Sequence, residues 1–256
     1  MIKRFVRHPY FEHLLLALVL IIGFIVRLYK INNPVADWHS WRQADTAAVT
    51  RIYIEKGINL LIPRYEDISS IQSRIFNPNG YRMEEFPIYN AIGAVLTVHV
   101  GHLSLEVWSR LITILCALTT SVFLYLIGKR FIGTIGGIMS AFFYLFIPFN
   151  IYFTRVILPD PMGVMFGIIS IWLFVKFIDS SKYSYFYLSA AFFALMLLIK
   201  PYLGFYAFPM AYLLISKYGL KKILCDRKII ISGILYTLVA FVPFILWRWW
   251  ESKFPQ

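Results

Sequence analysis

Four short segments carry residue types able to handle a phosphate and a hydroxyl. The first is Asp37-Trp38-His39-Ser40-Trp41-Arg42-Gln43-Ala44-Asp45-Thr46. An arginine holds a phosphate through two parallel N–H donors, and a carboxylate takes the proton of an attacking hydroxyl. Arg42 and Asp45 are therefore candidate binding and catalytic groups, with His39 beside them. A plainer alternative stands next to this one. Asp45 precedes a helix-like run, Ala47 to Lys56, whose Val49, Ile52 and Tyr53 recur at helical spacing, and an aspartate there would cap the helix and suit its dipole. Trp38 and Trp41 would serve equally as an interfacial aromatic belt.

The second segment, Met83-Glu84-Glu85-Phe86-Pro87-Ile88-Tyr89, sets the paired acids Glu84 and Glu85 at the opening of a short apolar helix, where acids also favour a helix start. The third, Arg155-Val156-Ile157-Leu158-Pro159-Asp160-Pro161, is a turn between two apolar blocks. Pro161 suits a first helical turn and Asp160 its cap, yet Arg155 and Asp160 at the mouth of a span could orient a phosphate or a sugar. The fourth is Lys200-Pro201, a lone cation between apolar blocks that needs an anionic partner, an escape to the interface or a lipid phosphate. Cys116 and Cys225 make neither a disulfide framework nor a metal spacing. No Walker-type phosphate loop, HExxH, GxSxG or GxGxxG run is present, which leaves nucleotide hydrolysis unsupported.

The elements that must hold these groups are membrane helices. Of 256 residues, 59% are hydrophobic and 15% charged, against about 45–50% and 25% in an ordinary soluble domain. The apolar residues gather at about 11–27, 86–100, 107–127, 132–154, 161–178, 184–199, 202–216 and 229–247, mostly near the length of about 18 residues that marks a candidate span. The fold class is an all-α polytopic membrane protein, with one domain over 1–256. The first block follows Lys3, Arg4 and Arg7, lacks a small-residue cleavage site and ends at Arg27 and Lys30, so it reads as a retained span. The stretch 28–85 is a long outer loop with juxtamembrane helices. It holds Asp37, Asp45, Glu55, Glu66, Asp67, Glu84 and Glu85, and ends in the turn-rich Asn77-Pro78-Asn79-Gly80.

The formal charge of +12 finds its cause in cytoplasmic loops and not in nucleic acid, for which no basic face or recognition motif exists. Orientation turns on residues 86–100, which contain Pro87, Asn90 and Gly93 and would reach only about 22 Å of a roughly 30 Å core. If that block does not cross, Arg4/Arg7, Lys129/Arg130, Lys176/Lys182 and the Lys217–Lys228 cluster share one side, as positive-inside demands. The expectation is therefore an interfacial or re-entrant helix over 86–100, about seven transmembrane helices, the N-terminus inside and the C-terminus outside. The four polar segments then become neighbours on one outer face.

His39-Ser40-Trp41-Arg42-Gln43-Ala44-Asp45-Thr46-Ala47, Glu84-Glu85-Phe86-Pro87-Ile88-Tyr89, Trp108-Ser109-Arg110-Leu111, Gly128-Lys129-Arg130-Phe131, Arg155 to Asp160 and Lys200-Pro201 occur in an order that resembles the membrane glycosyltransferases of the GT-C superfamily. The likeness extends from about residue 10 to 248 and is nearest to the bacterial branch related to protein O-mannosyltransferases and the lipid A aminoarabinose transferase. It implies a sugar carried on a polyprenyl phosphate as donor, a lipid, glycan or protein acceptor, and transfer on the outer face of the cytoplasmic membrane. It also implies an essential acid at Asp45, a second acid at Asp160, and basic groups facing the donor phosphate at Arg155 and Lys200. His39, Arg42, Glu84 and Glu85 complete the expected substrate-binding set. Family members usually continue through further spans into a second half, whereas this sequence stops at Lys253-Phe254-Pro255-Gln256. The expectation is a short form, a fragment or half of a split gene, with a second chain as candidate partner.

On this reading the reaction is a single inverting displacement, with Asp45 deprotonating the acceptor while Arg155 and Lys200 stabilise the departing phosphate. No protein-held cofactor is expected. A divalent metal between Asp45 and Asp160 is not favoured, because two carboxylates without a histidine or a third acid make a poor cage. The alternative from another class is a non-catalytic lipid-binding or scaffold subunit of an envelope-assembly complex.

Overall fold

The computed structural model describes residues 9–35, 39–69 and 74–255. Asp37, Trp38 and the basic Lys3, Arg4 and Arg7 lie outside the described residues. The elements follow as α1 (Pro9–Arg27), α2 (Ser40–Lys56), α3 (Ile88–His99), α4 (Leu105–Phe146), α5 (Pro148–Phe153), α6 (Asp160–Ser180), α7 (Tyr183–Ile199), a 3₁₀ turn (Pro201–Tyr206), α8 (Ala207–Tyr218), α9 (Leu220–Cys225) and α10 (Arg227–Glu251). Among the described residues there is no strand, only an isolated antiparallel bridge between Arg64 and Tyr81. The chain is an all-α membrane protein.

By length and composition, α4, α6 and α10 can each cross a bilayer, and α3 and α7 are shorter apolar helices. Ile21, Ile25, Leu115, Ile135, Phe143, Ile234, Leu238 and Ile245 are exposed. An apolar surface of that extent is stable only against hydrocarbon.

α4 is two helices in one. Gly133 has φ 84° and ψ −179°, a conformation open to glycine and closed to a helix interior. The chain folds back there, so that a Cβ on Gly137 would lie 2.6 Å from the Tyr125 carbonyl oxygen and one on Gly128 2.9 Å from Gly137 Cα. Small residues allow the two halves this close approach. The turn agrees with the break expected between the blocks 107–127 and 132–154.

α3 has 12 residues, about 18 Å of helix, too short to cross. It packs on α2, where Asn90 Nδ2 donates to the Thr46 carbonyl at 2.7 Å, and on the start of α4, where the Tyr89 hydroxyl donates to the Ser109 carbonyl at 2.7 Å. α6 and α7 form a hairpin locked by two buried serines: Ser170 Oγ donates to the Ser189 carbonyl at 2.8 Å and Ser189 Oγ to the Ser170 carbonyl at 2.9 Å.

The charged residues separate to two poles. At one, Lys129 pairs with Glu12, Arg130 makes a two-point pair with Asp179 at 2.8 Å, and Lys217 Nζ donates to Ser181 Oγ at 2.8 Å. At the other, α2 and the segment before α3 meet the start of α6 and the end of α7. Asp160 opens α6 and Asp179 lies near its far end, so the length of one helix separates the poles.

Candidate active site

The second pole holds a continuous chain of alternating charges. Arg82 Nη2 pairs with Asp45 Oδ2 at 3.0 Å and with Glu84 Oε1 at 2.9 Å. Arg42 reaches Glu84 through Nη1 and Glu85 through Nη2. Lys200 Nζ then meets Glu85 Oε1 at 2.7 Å and Asp160 Oδ2 at 3.3 Å, and the Tyr202 hydroxyl donates to Asp160 Oδ1 at 3.1 Å. The side chains of Arg42, Arg82, Asp45, Glu85 and Lys200 are each less than a fifth exposed. Ion pairs this sheltered are screened far less than surface pairs.

Local folding explains each position. Gly80 has φ 59°, and a Cβ there would lie 2.3 Å from the Tyr65 carbonyl oxygen, so the Asn77–Gly80 turn closes only with glycine. Asn77 braces it, donating from Nδ2 to the Tyr81 carbonyl at 2.9 Å and accepting from the Tyr81 amide at 3.0 Å. Tyr65 N then donates to Gly80 O at 2.8 Å and Arg82 N to Pro63 O at 3.0 Å, which aims Arg82 at Asp45. One main-chain bond, Phe86 N to Leu198 O at 3.0 Å, sets Glu85 beside Lys200. Gln43 Oε1 accepts from Ile157 N at 3.2 Å and ties the turn before α6 to α2.

Three capping expectations are corrected. α2 begins at Ser40 with His39 as its N-cap in the left-handed region at φ 57°, so Asp45 lies in the second turn and its carboxylate faces Arg82 instead of capping. Asp160 is the first residue of α6, Pro159 is the N-cap, and the Asp160 side chain faces Lys200 and Tyr202. Glu84 and Glu85 precede α3, which starts only at Ile88, and both are engaged by Arg42. Asp160 thus keeps the first turn of α6, which the dipole favours, while Asp45 and the Glu84–Glu85 pair lie away from a helix start and face cations.

Burial raises the Asp45 carboxyl above the usual aspartate range, against the opposing pull of the Arg82 and Arg42 guanidinium groups. A carboxylate shifted this way is a stronger base than an exposed one.

Beside the chain of charges opens a cavity of about 450 Å³. His39, Arg42, Asp160, Lys200 and Tyr202 line one part, and Tyr144, Phe149, Phe153 and Val164 the other. The His39 ring stands 5.5 Å from that of Phe153. Trp41 lines it too, while remaining 62% exposed. Asp45 lines a separate crevice of about 20 Å³ with Arg82, Glu85 and Asn90, roughly the room one water needs. Arg42 borders both spaces.

Seven of the eight residues expected from sequence therefore meet in one network or cavity. Arg155 does not. Its Nη1 donates to the Tyr29 carbonyl at 2.5 Å and its guanidinium stacks on Tyr29 and Tyr152, each 5.3 Å away, so it ties the α1 exit to the end of α5 outside the cavity lining. Sequence reasoning missed Arg82 and Tyr202. The alternation Arg82-Met83-Glu84 was the available signal for the first, since Met83 is fully buried and turns its neighbours together towards the site. Tyr202 gave no signal within an apolar block. Among the described residues no three His, Cys, Asp or Glu side chains gather as metal ligands.

The site is thus a sheltered network of alternating charges, set beside a cavity with polar and apolar walls, in an all-helical membrane protein. Residues 91–247, more than half of the chain, match the family described as dolichyl-phosphate-mannose-protein mannosyltransferase. The chain belongs to that family, and so to the GT-C membrane glycosyltransferases. The matched stretch contains Asp160 and Lys200, while Asp45, Glu84 and Glu85 precede it. No curated protein and no solved structure matches the chain.

Proposed function

We propose that this protein transfers a sugar from a polyprenyl-phosphate donor to an acceptor hydroxyl on the extracytoplasmic side of the cytoplasmic membrane. The observation that carries the reading is the placement of Lys200 and Arg42 in a cavity whose wall also carries Phe149, Phe153, Leu158 and Val164, with the polar Asn150 and Thr154 among them. That is the chemistry of a lipid phosphate: a charged head held by cations and an apolar tail against Phe149, Phe153 and Val164. The basic pole around Lys129, Arg130 and Lys217 would then face the cytoplasm.

In the reaction, the acceptor oxygen forms a bond to the anomeric carbon as the bond from that carbon to the phosphate oxygen breaks, with inversion. Asp45 takes the acceptor proton. Lys200 and Arg42 stabilise the charge that grows on the departing phosphate, a role the resemblance assigned partly to Arg155. Asp160, held by Lys200 and Tyr202, and His39 contact sugar hydroxyls. Glu84 and Glu85 keep Arg42 extended in the free enzyme, and Arg82 orients Asp45.

The test is transfer of radiolabelled sugar from polyprenyl-phosphate donors in membranes containing this chain, with Asp45→Ala beside it. Transfer that disappears in the variant supports the reading. Equal transfer by both would end the case for Asp45. No transfer by stably inserted protein that still binds the donor would point to the lipid-binding subunit.

A further inference from the structure

Arg27 ends α1 and is 1% exposed, the largest fully buried side chain among the described residues. Its partners are neutral: Nε donates to Thr154 Oγ1 at 2.7 Å, Nη1 to the Gly23 carbonyl at 2.9 Å and Nη2 to the Leu145 carbonyl at 3.0 Å. No described carboxylate lies within ion-pair distance of it. The two carbonyls belong to the last turns of α1 and α4, and the negative ends of those helices offset part of the cost of burying a cation. They do not neutralise it, and a desolvated charge without a counter-ion is unfavourable.

Thr154, which receives the Arg27 Nε–H, lines the large cavity together with Asn150 and Tyr144. The Thr154 hydroxyl donates to the Asn150 carbonyl at 2.5 Å. Its proton is polarised by the guanidinium behind it and can turn towards a better acceptor in the cavity. A positive charge one hydrogen bond behind the wall acts through protein and not through water, so its field there is little screened.

We propose that Arg27 determines the charge specificity of the cavity, acting through Thr154 as a positioning residue that makes the site select an anionic head over a neutral one. The inference rests on reading the cavity as the seat of a lipid phosphate. Arg42 and Lys200 already have carboxylates facing them, so they yield net attraction only after those pairs rearrange. Arg27 has no described carboxylate to give up and favours an anion at once.

The experiment compares the affinities of the purified full chain for a polyprenyl phosphate and for the neutral polyprenol of the same length. Wild type should favour the phosphate. Arg27→Lys, which keeps the charge, should retain the preference. Arg27→Gln, confirmed as folded by its thermal midpoint, should lose about tenfold or more of it with polyprenol affinity unchanged. Arg27→His covers the case in which the glutamine variant does not fold: relative to wild type at each pH, its preference should rise as pH falls from about 8 to about 6, through the histidine range. A folded glutamine variant with wild-type preference, or a histidine variant whose relative preference ignores pH, overturns the proposal. Wild type that does not distinguish phosphate from alcohol overturns the donor-seat reading itself, whatever the variants do.

Discussion

Arg42 on α2 and Lys200 at the end of α7 converge on the same atom, Oε1 of Glu85. Two cations far apart in the sequence thus share one carboxylate oxygen in a setting where Glu85 is only 18% exposed. On the proposed reading, that carboxylate stands where a phosphate oxygen of the donor would be held.

Glu85→Gln should therefore destabilise the protein, because it removes the shared anion and leaves Arg42 with Glu84 and Lys200 with Asp160 alone, a change worth about 1–3 kcal/mol. Added polyprenyl phosphate should restore more of the thermal midpoint in the variant than in wild type. Thermal unfolding with and without the lipid checks this, and a variant as stable as wild type without lipid would contradict it.

Asp45→Asn should lower transfer by about 10²–10⁴-fold while donor affinity stays near wild type, since a lost proton acceptor affects the chemical step and not the lipid phosphate. Transfer rates and donor binding measured on the same preparation separate the two effects.

The raised Asp45 carboxyl makes a pH prediction. Its acid limb of transfer should lie above the ordinary aspartate value of about 3.9, and Arg82→Gln should move that limb higher, because the Arg82 charge favours the carboxylate. The stability sign is the reverse of that for an acid whose folded value is lowered. Between the unfolded and folded values the native state binds more protons, so this group's contribution to stability falls as pH rises through that window. Asp45→Asn should remove that slope from the thermal midpoint measured against pH.

Arg155→Gln should leave donor affinity within about twofold of wild type, and cost about 0.5–1.5 kcal/mol of stability through its lost bond to the Tyr29 carbonyl. A donor-affinity loss as large as that of Lys200→Gln in the same binding assay would return Arg155 to the phosphate.

Cys225 is exposed at the basic pole and Cys116 is buried. A membrane-impermeant maleimide should modify only Cys225, and only when the cytoplasmic side is open to it. Labelling of Cys225 from outside intact cells would invert the orientation and place the charge network in the cytoplasm.

Much of this architecture is legible in one dimension. Long apolar blocks dictate a hydrocarbon environment, residues 86–100 allow only a short helix, and Asn77-Pro78-Asn79-Gly80 announces a turn, because each depends on composition or spacing within a few residues. The candidate site is legible only as an inventory. Asp45 and Asp160 look like caps when judged by their own helices, and Glu84 and Glu85 like dipole-favoured acids at a helix start. Their actual partners depend on contacts between distant segments: Phe86 N to Leu198 O brings Glu85 to Lys200, the Tyr65–Gly80 pairing turns Arg82 onto Asp45, and the Tyr29 carbonyl claims Arg155. Ion pairing is non-local and sensitive to ångström differences in approach, so only the folded chain decides which charge meets which.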